Sequence, residues 1–143
     1  MVKVGNGSMI HIFTFLQLLL LGSLICVSEG SIFSRPKRHV HIMNLLGQNI
    51  NLNVHCASSD DDLGSHDVSY RNEYEFEFYP NILGTTLFRC NLHWQDKVQL
   101  VTVYNAKSND FKRCVHNCNW RIELDQLCTS GDDPISLLCS PWK

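Results

Sequence analysis

From His39 onward, apolar and polar positions alternate with a period of two, the pattern of strands that bury one face. Val40 and Ile42 alternate with His39 and His41, and Ile50, Leu52, Val54 and Cys56 alternate with Asn51, Asn53 and His55. The turn residues Gly47-Gln48-Asn49 lie between the two runs, so they read as a half-buried hairpin. Tyr74, Phe76 and Phe78 alternate with Glu73, Glu75 and Glu77, which buries three rings and puts three carboxylates in water. Pro80 ends that strand. Phe88, Cys90, Leu92 and Trp94 mark one face of the next, which turns near Gln95-Asp96 into a run from Val98 to Tyr104. Trp120, Ile122 and Leu124 alternate in a last strand that begins at Cys118. Ser136 to Cys139 reads equally as one helical turn or a pinned tail. Short strands with turns between them and almost no helical period predict an all-β fold, an antiparallel sandwich or barrel. Its core takes in Phe76, Phe78, Phe88, Leu92, Trp94 and Trp120, while Glu73, Glu75 and Glu77 face water.

The first thirty residues break this pattern. Lys3 is followed by an apolar stretch from about Ile10 to Val27, and the small residues Ser28 and Gly30 come next. This is the layout of a secretory signal peptide over residues 1–30, with the new N-terminus at Ser31 or, alternatively, Glu29. His11, Thr14 and Gln17 interrupt the stretch, which argues against a membrane anchor, so no membrane span is expected after cleavage. The sequon Asn6-Gly7-Ser8 leaves with the leader, and no other exists in the chain. Residues 31–143 then form a single domain that is secreted and extracellular.

Cysteine usage agrees with that compartment. Of seven cysteines, Cys26 lies in the leader, leaving Cys56, Cys90, Cys114, Cys118, Cys128 and Cys139. An even set in a small secreted domain predicts three disulfides, in any of fifteen connectivities. Losing Lys3 and Glu29 leaves the formal net charge at −2. That balance, with no basic stripe carrying interleaved aromatics, argues against a nucleic-acid partner. It also argues against action on membranes, since no basic amphipathic segment exists. Lys37-Arg38 reads as a solvated approach to the first strand, with a processing site as the alternative.

No catalytic set or cofactor site emerges. Cys114, His116 and Cys118 have zinc-like spacing, but thiols in an oxidising compartment are more often bridged. His39 and His41 share a strand face without an identifiable third ligand. Asp60, Asp61 and Asp62 with Asp67 crowd one stretch but lack the spacing of a helix-loop-helix calcium site. Ser58 and Ser59 neighbour His55 and Asp60 without a nucleophile elbow. Glu73, Glu75 and Glu77 lie about 7 Å apart by strand rise, a glycosidase-like spacing. The stronger reading is an exposed acidic stripe paired with basic residues on the next strand.

Three separated motifs then add what periodicity lacks: His55-Cys56-Ala57-Ser58-Ser59-Asp60-Asp61-Asp62-Leu63-Gly64, Gly84-Thr85-Thr86-Leu87-Phe88-Arg89-Cys90, and Cys114 with Cys118-Asn119-Trp120. In order, and each tied to a cysteine, they resemble the plant self-incompatibility protein family, the S-protein homologues, over about Val40 to Leu127. The resemblance implies a small secreted β-sandwich and, for founding members, a stigma ligand that pollen recognises in rejecting self. Gln126 and Arg89 depart from the family pattern, and Cys128 and Cys139 look additional to its usual four cysteines. These two are therefore expected to pair. A signalling or recognition ligand is the leading function, with a secreted hydrolase or defence protein as the alternative. The partner would be a cell-surface receptor or other extracellular protein. Two polar segments are the candidate contacts: Asp60, Asp61, Asp62 and Asp67 in one, and Lys107, Asp110, Lys112 and Arg113 in the other.

Overall fold

In the computed structural model, residues 35–108 and 113–143 are described. The leader and its cleavage site, together with Asp110 and Lys112, lie outside them. The described residues contain nine strands: β1 Arg38–Leu45, β2 Leu52–Ala57, β3 Asp62–Val68, β4 Glu73–Phe78, β5 Leu87–Trp94, β6 Lys97–Asn105, β7 Asn117–Glu123, β8 Gln126–Ser130 and β9 Leu138–Pro141. They form a five-stranded sheet in the order β4-β1-β7-β8-β9 and a four-stranded sheet in the order β3-β2-β5-β6. Period-two alternation fixes the inner faces. Val40 and Ile42 of β1 and Trp120 and Ile122 of β7 meet Val54 of β2, Leu92 and Trp94 of β5 and Val103 of β6 in one core.

The sandwich is all-β and mostly antiparallel, with one parallel pair, β1 with β7. Val40 and Ile42, and Leu52 and Val54, are fully buried, yet their strands belong to different sheets. The hairpin read from Gly47-Gln48-Asn49 is therefore an arch. The apolar faces of β1 and β2 meet across the core rather than lying side by side, and β1 pairs instead with β4 and β7. Asn44 seals the corner. Its side chain is 0 % exposed. It donates to the carbonyls of Ile50 and Val68 at 2.8 Å each and accepts from the Leu46 amide at 3.0 Å.

Elsewhere the alternation agrees with the fold more closely. β5 and β6 form the expected hairpin through Gln95 and Asp96, with Gln95 at φ 51°. A register shift after Phe88 leaves Val103 without a partner of its own, so the consecutive Val103 and Tyr104 are both buried. Phe88, Leu92, Trp94 and Trp120 are buried, whereas Phe76 and Phe78 are half-buried because β4 is a sheet edge. Their rings still pack against the core, with Phe78 tilted 4.6 Å from Phe88 and edge-on 4.9 Å from Tyr104. Three differences concern polar or terminal segments. Asp62–Val68 is a strand rather than a loop, β7 is followed by β8 and β9, and Leu138–Pro141 is an edge strand rather than a helical turn. Leu124 falls beyond β7 and is half-exposed.

Three disulfides join Cys56 to Cys90, Cys114 to Cys118, and Cys128 to Cys139. The first lies across β2 and β5 and the third across β8 and β9. None of the three ties one sheet to the other. The sheets are held together by the apolar core, by chain connections, and by cross-sheet contacts such as the Trp120 indole donating to the Val103 carbonyl at 3.1 Å.

Candidate recognition surface

Strand directions sort the connections into two unlike ends. At one end lie the β2–β3 turn (58–61), the β4–β5 loop (79–86), and the β6–β7 and β8–β9 connections, with the approach to β1. The opposite end carries the corners at 46–51 and 69–72 and the tight turns at 95–96 and 124–125. Long connections on a rigid scaffold are where binding surfaces usually sit.

The loop end is built from hydrogen bonds within and between its segments. Asn81 organises the β4–β5 loop. Its Oδ1 accepts from the Thr85 amide at 2.9 Å, its Nδ2 donates to Thr85 Oγ1 at 2.6 Å, and its amide donates to Thr86 Oγ1 at 2.8 Å. Gly84 closes the turn at φ 65°, a conformation a side chain would strain. Arg35 donates to the Ile82 carbonyl at 3.0 Å, and the Ala106 amide donates to the Thr86 carbonyl at 2.9 Å. Apolar side chains project from this fixed backbone: Tyr79, Ile82 and Leu83 are 66, 75 and 80 % exposed.

Neighbouring segments are fixed in the same way. Ser58 Oγ accepts from the amides of Asp60 and Asp61 at 3.2 and 3.0 Å, so this hydroxyl caps the turn. Arg38 is buried and donates to the carbonyls of Pro36 and Val115. The Asp132 carboxylate accepts from the amides of Val115, His116 and Asn117 at 2.7, 3.0 and 2.7 Å. Partial burial opposes its charge, but these three donors outweigh it and hold its pKa below the ordinary value of 3.8.

The structure separates the aspartates grouped in sequence. Asp60 and Asp61 are exposed on the β2–β3 turn, and Asp62 begins β3. Asp62 accepts from the Gly64 amide at 2.9 Å and lies 2.6 Å from His55 Nε2; the amide first, and the imidazole second, lower its pKa. Asp67 lies about 17 Å further along the strand by rise per residue and accepts from Asn53 at 2.8 Å. Lys107 follows β6 at the loop end, and the Arg113 guanidinium sits 5.8 Å from the centre of the Trp120 ring. Cys114 and Cys118 are bonded to each other and so unavailable as thiolate ligands. Glu73 and Glu75 pair with His41 and His39 on β1, and Glu77 with Lys37 just before it, so the acidic stripe finds its partners along β1 and not on the next strand, β5, which lies in the other sheet. Ile82 and Leu83 were not among the sequence candidates. Their signal is their position, apolar residues between Pro80 and Gly84 and outside any alternating run.

The family model for plant self-incompatibility protein S1 matches residues 39–142, from β1 through β9. The chain belongs to the plant self-incompatibility protein S1 family. It is 36 % identical to S-protein homolog 5 of Arabidopsis thaliana over 73 % of this chain and 77 % of that one. It is 32 % identical to self-incompatibility protein S1 of Papaver rhoeas over 79 % of this chain and 80 % of that one. A solved self-incompatibility protein homologue, from a family described as small, highly stable, secreted plant proteins, superposes with a TM-score of 0.54. It shares 17 % identity and covers 75 % of this chain and 90 % of its own. That likeness supports the sandwich fold.

Proposed function

We propose that this S1-family member is a secreted ligand that binds a cell-surface receptor or other extracellular protein through its loop end, without catalysis. One observation carries the reading: Ile82 and Leu83 are exposed on a backbone that Asn81, Thr85, Thr86 and Arg35 hold in place. A prefixed loop loses little conformational entropy on binding, and exposed apolar anchors within a polar rim are the usual core of a protein interface. Asp60, Asp61 and Asp62 on one side and Lys107 and Arg113 on the other supply charges of opposite sign for partner choice. The name of the Papaver rhoeas relative supports a recognition role, and the described character of the solved homologue supports secretion.

The test is binding of labelled, disulfide-intact protein to the cognate cell surface. Ile82→Ser with Leu83→Ser should weaken binding about tenfold or more, as loss of a central anchor does. Neutralising Asp60 and Asp61, or Lys107 and Arg113, should mainly change association rate and its salt dependence. Unchanged binding in all three variants would place recognition on a sheet face and overturn the proposal.

A further inference from the structure

On the outer face of the five-stranded sheet, away from the loop end, β1 and β4 bring imidazoles and carboxylates together. His41 lies directly opposite Glu75 in the antiparallel register, and Glu73 lies opposite Met43, one step along the same face. His41 Nδ1 is 3.4 Å from Glu73 Oε1 and 3.9 Å from Glu75 Oε2, and one donor atom from each of the three residues lies within 4.8 Å of the others. We propose that His41, Glu73 and Glu75 bind a divalent first-row transition ion of the zinc type.

The donor set and its surroundings support this assignment. Tetrahedral zinc with bonds of about 2.0–2.2 Å separates its ligands by about 3.3–3.5 Å. The pairs at 3.4 and 3.9 Å therefore need only a small adjustment of two exposed glutamate side chains. An imidazole among the donors favours a transition ion over calcium or magnesium, which take oxygen ligands. The neighbours divide the work. His39 Nδ1 lies 2.9 Å from Glu75 Oε1, so it orients that carboxylate and leaves Oε2 turned toward His41. Lys37 bonds Glu77 at 2.7 Å, which removes the third glutamate from the set. On the other flank, β7 places Asn119 beside His41 and Arg121 beside Met43, so Met43 separates the nearest β7 cation from Glu73. His41 is about one-fifth exposed and the two glutamates are nearly half-exposed, so the ion would keep an open position toward solvent for water or a partner's side chain. The ion would also clip β4, an edge strand, to β1.

The experiment uses untagged, disulfide-intact protein, freed of metal with a chelator and titrated with zinc by calorimetry against a calcium control. Saturable one-to-one zinc binding is expected, with no comparable response to calcium. His41→Ala and Glu75→Ala should each weaken it about tenfold or more. His55→Ala, which removes a different histidine-carboxylate pair, should leave it unchanged. In the unsubstituted protein, amide resonances of residues 41, 73 and 75 should shift first on adding zinc, which keeps the proposal testable if a variant misfolds. No saturable binding, equal affinity for calcium, full affinity in His41→Ala or Glu75→Ala, loss in His55→Ala, or shifts centred elsewhere would each overturn it.

Discussion

Asn44→Ala should be among the most damaging single substitutions in the chain, although it removes no apolar contact surface of note. The amide side chain satisfies three backbone groups at the corner where the chain leaves one sheet for the other. Two of those bonds are fully buried and the third, to Ile50, is partly so. A typical hydrogen bond contributes about 1 kcal/mol net, but a buried backbone group left without a partner costs about 1–3 kcal/mol. Two fully stranded groups and one that water can reach give a loss of about 3–5 kcal/mol, a large part of the 5–15 kcal/mol that holds a domain folded. Guanidinium melts of disulfide-intact protein, followed by far-UV circular dichroism and tryptophan fluorescence, measure it. With a slope of about 3 kcal/mol per M, the midpoint should fall by about 1–1.7 M. Asn44→Asp should be worse at pH 7, since it keeps the acceptor for Leu46 but aims a carboxylate at two carbonyls. A loss below about 1 kcal/mol for Asn44→Ala would show that water reaches the corner and refute the reasoning.

Three further outcomes are expected. Asp132→Ala should cost about 1–2 kcal/mol at neutral pH, because the loop from Val115 to Asn117 loses a charged acceptor. Since the folded pKa is depressed, that contribution is complete above the ordinary 3.8 and is lost as pH falls through the folded value, so wild-type and variant melts should converge in acid. Replacing Cys128 and Cys139 together by Ser should cost about 2–3 kcal/mol and replacing Cys56 and Cys90 about 3–4, following loop separations of 11 and 34; the reverse order in thermal melts would show that chain entropy is not what governs. Phe88→Ala should cost about 3–5 kcal/mol and the half-buried Phe76→Ala less, whereas Glu75→Ala on the wet face should stay within about 0.5 kcal/mol in urea melts without added metal.

Alternation made most strands legible because it reports which face of a strand is buried. It does not report which strand lies alongside, and that is why β1 and β2 read as a hairpin. Polar edges were harder. β3 carries Gly64, Ser65 and Asp67 and buries little besides Val68, and β9 is exposed along its whole length, so neither shows a face. Cys128 with Cys139 was expected from the family pattern, but the other two bridges needed the fold. Asn44 was hidden by its polarity at an inward position of an apolar strand. The loop-end anchors were missed because sequence cannot tell an exposed Ile82 from a buried one. The approach of His41 to Glu73 and Glu75 depends on the β1–β4 register, which links segments more than thirty residues apart.

The parallel pairing of β1 with β7 also has a consequence for how the chain is made. His39 sits opposite Asn117 and Leu45 opposite Glu123, so the centre of the five-stranded sheet joins segments that emerge from the ribosome far apart in time. Until β7 is synthesised, β1 can pair on one side only, with β4, and the inner face of its own sheet is only part built. The four-stranded sheet meets no such delay, because β2, β3, β5 and β6 are all complete by Asn105. Vectorial synthesis therefore favours closing that sheet, with its Cys56–Cys90 bond, before the other half of the sandwich can form.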